Sequence, residues 1–157
     1  IGSLSQERFR MMTLFVPPMY LTGFLTKISR EYGFASVVEP FFTYWGEDRL
    51  DPAQPLESIA KKLYLLPTRR SMYGPLSERT LKGIVDCAKQ YKVDGAIYWA
   101  AMGCRHTCAT VKLFKDILSE IDVPMLTLDC DIVDPTVNPE EEVREKLEQF
   151  LELLEER

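Results

Sequence analysis

Asp94-Gly95-Ala96-Ile97-Tyr98-Trp99, running on into Met102-Gly103-Cys104-Arg105-His106-Thr107, is the stretch that decides the fold. Its first half is an apolar run without alternation, the pattern of a strand covered on both faces. Gly103 then gives way to helical spacing, with Val111, Phe114, Ile117 and Leu118 on one side. Downstream the pattern repeats. Val123-Pro124-Met125-Leu126-Thr127-Leu128 reads as a strand ending in Asp129-Cys130-Asp131. After Asp134-Pro135, Asn138 is the expected cap and Pro139 the start of a last helix with core face Val143, Leu147, Phe150, Leu151 and Leu154.

Upstream, Ser77 is the expected N-cap of a helix to about Tyr91 with Leu81, Ile84, Val85 and Ala88 facing inward. Pro55 opens another, with Ile59, Leu63 and Leu66 on its inner face. Met11 to Val16 reads as a buried strand that Pro17-Pro18 ends, since proline lacks the donor a central strand needs. A helix from Tyr20 to Tyr32 closes at Gly33, and Ala35 to Val38 is a strand stopped by Pro40. Ser3 to Arg10 is expected as a short helical lead-in, and Phe41–Gln54 and Pro67–Pro75 as loops. Strand and helix alternate four times. That predicts one α/β domain over residues 1–157, a doubly wound, mostly parallel sheet with helices on both faces, flavodoxin-like or Rossmann-like.

Composition narrows the function classes. The chain has 157 residues, enough to bury most of its apolar surface without staples. Net charge is −5, and Glu140, Glu141 and Glu142 sit where the helix dipole favours them. No basic stripe exists, so nucleic acid is not the expected partner. Apolar runs are too short to span a bilayer, and no secretory segment is legible. A cytoplasmic setting with reduced thiols is therefore expected for Cys87, Cys104, Cys108 and Cys130, whose spacings match no paired CxxC zinc site.

Ligands of open α/β sheets bind beyond the carboxyl ends of the strands, which here are Val16-Pro17-Pro18, Pro40 to Trp45, Gly103 to Thr107 and Asp129 to Asp134. There the GxGxxG and GxxxxGK[ST] fingerprints and the GxSxG elbow are all missing. Cys104 stands at a strand-to-helix turn beside Arg105, a setting that favours thiolate, the form that binds metal or attacks electrophiles. The alternative is a buried cysteine in a tight turn. Cys108 and Cys87 read as packing residues, and Cys130 as packing or as a second thiol on the Cys104 crevice. His106 is a helix-start hydrogen bonder, a surface group or a catalytic base. Asp129, Asp131 and Asp134 are turn caps or a metal site. Tyr44 and Trp45 are candidates to line a pocket, whereas Tyr98 and Trp99 belong in the sheet core.

Several blocks resemble the last domain of the D-component of the 2-hydroxyacyl-CoA dehydratase and benzoyl-CoA reductase family. They are Val16-Pro17-Pro18; Leu50-Asp51-Pro52 through Pro55-Leu56-Glu57-Ser58-Ile59-Ala60; Tyr91-Lys92-Val93-Asp94-Gly95-Ala96-Ile97-Tyr98; Gly103-Cys104-Arg105; and Leu128-Asp129-Cys130-Asp131-Ile132-Val133-Asp134-Pro135. They stand in the family's order from about Arg10 to the end. The resemblance implies an oxygen-sensitive iron–sulfur enzyme, a lyase working with a second dehydratase subunit and an ATP-dependent activator protein that donates one electron. In the dehydratases that electron gives a ketyl radical from the acyl-CoA substrate and water is lost; related members reduce aromatic rings or carry a double-cubane cluster. It implies a [4Fe-4S] cluster with Cys104 as one metal ligand, and Pro17, Pro18, Tyr44 and Arg105 near the acyl-CoA.

The chain departs from the pattern twice. The family's other cluster cysteines come from an earlier domain, and Cys130 stands where the family usually has glycine. The sequence opens Ile1-Gly2-Ser3 without methionine, so the expectation is the C-terminal part of a longer subunit, inactive and without its cluster when alone. Two other readings remain open: a non-catalytic docking module of the same fold, and a thiol enzyme pairing Cys104 with His106.

Overall fold

The computed structural model describes residues 4, 6–42, 50–65 and 78–157, the side chains of Leu65, Glu78 and Arg79 excepted. Among these, four strands form one sheet: β1 (Phe9–Leu14), β2 (Phe34–Val38), β3 (Gly95–Ala101) and β4 (Met125–Cys130). The order is β2-β1-β3-β4 and every pairing is parallel. Helices α1 (Thr22–Tyr32), α2 (Pro55–Leu65), α3 (Glu78–Tyr91), α4 (Arg105–Ser119) and α5 (Glu140–Glu155) connect or follow the strands.

β3 is buried at every position, as its unbroken apolar run requires, and lies between β1 and β4. Its residues divide by alternation. Ile97, Trp99 and Ala101 join Leu128 and Cys130 under α1 and α5; Ala96, Tyr98 and Ala100 join Met12 and Leu14 under α3 and α4. The predicted core face of α5, Val143, Leu147, Phe150, Leu151 and Leu154, is buried in full, each side chain contributing roughly 1.5–3 kcal/mol. Gly33 closes α1 at φ 72°. A Cβ there would stand 2.9 Å from the Gln6 carbonyl oxygen, so the helix end needs glycine for two reasons.

Four expectations need correction. The lead-in is not helical: Phe9 and Arg10 already belong to β1, and the Arg8 and Phe9 amides both donate to the Gly33 carbonyl. β1 ends at Leu14 because Phe15 turns to φ 65°, before either proline is reached. The apolar stripe of α2 faces outward, with Leu56 83% and Ile59 47% exposed and Leu63 likewise exposed. Periodicity identified the helix but could not say what it packs against. Asn138 does not cap α5. It is buried, with its amide donating to the Asp129 carbonyl and its oxygen accepting from the Asp131 N–H. Leu66, Arg69, Arg70, Tyr73, Gly74 and Ser77 lie outside the described residues.

Candidate functional site

The chain leaves β1 toward β2 on one side and enters β3 on the other, so the order reverses between β1 and β3. Such a switch point opens a crevice beyond the strand ends. A cavity of about 170 Å³ lies there. Phe15 and Val16 reach it after β1, Phe41 and Phe42 after β2, and Ile132 after β4. Trp99 and Ala101 of β3 supply its floor, and Cys104, His106 and Thr107 a side wall.

Phe15 organises this space. Its ring stacks on Phe41 at 4.4 Å and meets Tyr98, His106 and Phe114 edge-on at 5.1, 5.6 and 6.0 Å. An aromatic residue at positive φ costs on the order of 1 kcal/mol. The ring contacts are what hold it there.

Cys104 follows β3 as the extended N-cap residue of α4, φ −102°. Its carbonyl accepts from the Cys108 amide, which starts the helix. Its thiol makes no formed side-chain cap. The Thr107 amide facing the sulfur, with the His106 amide, nevertheless holds its pKa below the ordinary thiol value, against an opposing push from partial burial. A Cβ added at Gly103 would meet nothing within 4 Å, so the backbone just before Cys104 borders open space. The turn is braced from below. The Thr107 hydroxyl donates to the Ala101 and Cys104 carbonyls at 3.1 Å, and the Tyr98 phenol bonds the Thr107 carbonyl at 2.7 Å and the Thr110 hydroxyl at 2.8 Å. Burial pushes the phenol up to about 12.

His106 is half-buried. It lines the cavity, its Nε2 is buried with no hydrogen-bond partner among the described residues, and burial lowers its pKa. A buried orphan of this kind costs about 1–3 kcal/mol unless a ligand satisfies it. Cys108 is exposed rather than packed, its sulfur turned to the Ala101 and Met102 carbonyls. Cys87 is buried in the core as expected. Cys130 is wholly buried and does not line the cavity, and burial, then Asp129 and Asp131, push its thiol up to about 11.

The acidic loop caps itself. Asp131 accepts from the Val133 and Asp134 amides at 2.8 Å, and Asp134 from the Thr136 amide and hydroxyl. Pro18 is buried, Pro17 lines a neighbouring cavity between α1 and the sheet, and Arg105 is exposed at the first residue of α4 without lining the Cys104 cavity. Tyr44 and Trp45 lie outside the described residues. Phe41, Phe42 and Ile132 fall in the strand-end stretches expected to meet a ligand, although none was singled out there; Phe15 was expected inside the first strand, and its only signal was an aromatic residue at a strand end.

As a metal donor Cys104 fits: its thiol is biased toward thiolate, half-exposed, and beside open space. Among the described residues, however, no group of three or more His, Cys, Asp or Glu could hold a metal ion. Among the described residues Cys104 is thus a single donor and not a complete shell.

The sheet order defines a doubly wound α/β protein, with a cavity and a thiol-bearing turn at the strand ends. The sequence model of the 2-hydroxyglutaryl-CoA dehydratase D-component matches residues 2–154, and the chain belongs to that family. No individual curated protein matches it. No described helix is long and apolar enough to cross a membrane.

Proposed function

We propose that this chain is the C-terminal domain of an iron–sulfur 2-hydroxyacyl-CoA dehydratase subunit, a lyase removing water from a 2-hydroxyacyl-CoA by one-electron chemistry. The observation that carries the reading is Cys104, a thiol lowered toward thiolate at the mouth of a switch-point cavity. Cys104 would hold one corner of a [4Fe-4S] cluster, the other ligands coming from outside the described residues. The bound cluster would supply single electrons at low potential. The chain's own residues do the rest. The helix amides bias the sulfur toward thiolate, the Tyr98 and Thr107 hydroxyls fix the turn, and the aromatic wall excludes water from the acyl group.

Val16, Met19, Phe42, Met102, Ile132 and Val133 stand exposed on the loops beyond the strand ends. Apolar exposure in such a place suits a surface that a second dehydratase subunit covers. An ATP-dependent activator would deliver the electron. The test is to express the subunit in full, anaerobically, with iron and sulfide, and to record iron content and absorption beside Cys104→Ala. A wild-type chromophore lost in the variant supports the ligand role. A colourless, iron-free wild type defeats it and leaves the docking module as the better account.

A further inference from the structure

We propose that the cavity beside Cys104 takes an uncharged acyl tail, aromatic or branched aliphatic, and selects against acyl groups that carry a second carboxylate. The proposal rests on the dehydratase reading above and names its substrate class. The family's describing substrate, a 2-hydroxyglutaryl thioester, ends in such a carboxylate.

The walls argue for the apolar tail. Phe15 stacks on Phe41, and Trp99, Ala101 and Ile132 complete an enclosure of about 170 Å³. A dry cavity of about 150 Å³ lined by aliphatic and aromatic side chains accommodates a benzene ring, so this one suits a phenyl group or a branched chain of similar bulk. Among the described residues no lysine or arginine lines it, and Arg105 is exposed and off the wall. The Thr107 hydroxyl is committed to two backbone carbonyls. A carboxylate entering here would shed its water and find no cation among the described wall residues to replace it. His106 brings an imidazole whose Nε2 has no partner, which a neutral polar group can satisfy. Cys104 on the same wall places the apolar tail next to the proposed redox centre.

Binding separates this proposal from the reaction itself. The complete, cluster-loaded enzyme would be titrated calorimetrically with three non-hydroxylated thioesters: 4-methylpentanoyl-CoA, 3-phenylpropanoyl-CoA and glutaryl-CoA. At least one apolar thioester is expected to bind at least about tenfold more tightly than glutaryl-CoA. Which of the two leads tells branched chain from ring. Ile132→Arg, with assembly with the second subunit checked by size-exclusion chromatography because Ile132 also belongs to the exposed apolar surface, should shrink or reverse the preference by placing a cation on the wall. Ala101→Leu should weaken the apolar thioesters by filling the floor, its fold checked by thermal melting. Glutaryl-CoA binding as well or better, or an Ile132→Arg enzyme with unchanged preference, overturns the proposal. So does a cluster-loaded enzyme that binds none of the three. A preparation without the iron–sulfur chromophore instead defeats the dehydratase reading, and this proposal falls with it.

Discussion

Two neighbouring strands each end near a cysteine, and the two thiols are driven in opposite directions. After β3 the chain turns at once into α4, so Cys104 becomes the N-cap residue and meets the first amides of the helix. β4 instead ends on Cys130 itself, whose side chain lies on the face packed by α1 and α5. The long loop that follows satisfies its own polar groups: Asp131 and Asp134 bond nearby amides, Asn138 ties Asp129 to Asp131, and the Tyr20 phenol donates to the Asp131 and Asp134 carbonyls. No helix start is left for the sulfur, and burial raises its pKa to about 11. Thiol chemistry here follows the length of the connection and the parity of the strand, not the presence of a cysteine.

The sharpest way to break that contrast is to delete each thiol in turn. Cys104→Ala is expected to strip most iron from the anaerobic full-length subunit, while Cys130→Ala keeps it; equal losses by iron analysis would end the distinction. Next comes reactivity. With iodoacetamide at pH 7, peptide mass spectrometry should show Cys104 labelled at least about tenfold faster than Cys130. The sign follows from the shifts: lowering the Cys104 pKa raises its thiolate fraction, whereas Cys130, near 11, stays a thiol well past pH 9. Similar rates would mean the two environments do not differ as described.

A smaller effect probes the loop itself. Asn138→Ala leaves the Asp131 amide and Asp129 carbonyl without their buried partner, costing about 2 kcal/mol. That corresponds to a fall in Tm of about 4–8 °C, and no change would show the loop is held by other means. The smallest concerns Asp131, whose carboxyl is held below the usual range by the Asp134 amide and then the Val133 amide. A depressed folded-state pKa contributes stability above the unfolded value that is lost as pH falls through the folded one. Asp131→Ala should therefore lower Tm by about 2 °C or less at neutral pH, with the difference vanishing in acid; a gap that persists at low pH would place the effect elsewhere.

What the sequence made legible was whatever depends on local pattern. The alternation of strand and helix, the α5 stripe, the left-handed Gly33 and the burial of Cys87, Tyr98 and Trp99 all follow from periodicity or from a residue's own conformational range. Its errors arose where a partner distant in the chain decides. α2 has the spacing of a packed helix, but its stripe faces outward. Asn138 has the chemistry of a cap, yet the Asp129 carbonyl at the end of β4 and the Asp131 N–H just past it claim its side-chain amide. Cys104 was legible as a candidate because its environment, a strand end and a helix start, is local. The stretches past the four strand ends were legible one by one, but which of their side chains meet around one cavity was not, since only the sheet order brings those ends together. For the same reason Phe15 gave no sign that it would sit at positive φ among four rings.

The Tyr98 phenol joins a strand buried along its whole length to the first turns of α4. Because it ionises only near 12, that crossbar stays protonated at any pH a cell reaches. Under the proposed role its consequence is kinetic uniformity. Electron transfer slows steeply with each added ångström of separation, so a ligand on a drifting turn would give every turnover a different rate. A sulfur braced against a strand buried along its whole length would keep that separation constant from one encounter with the electron donor to the next.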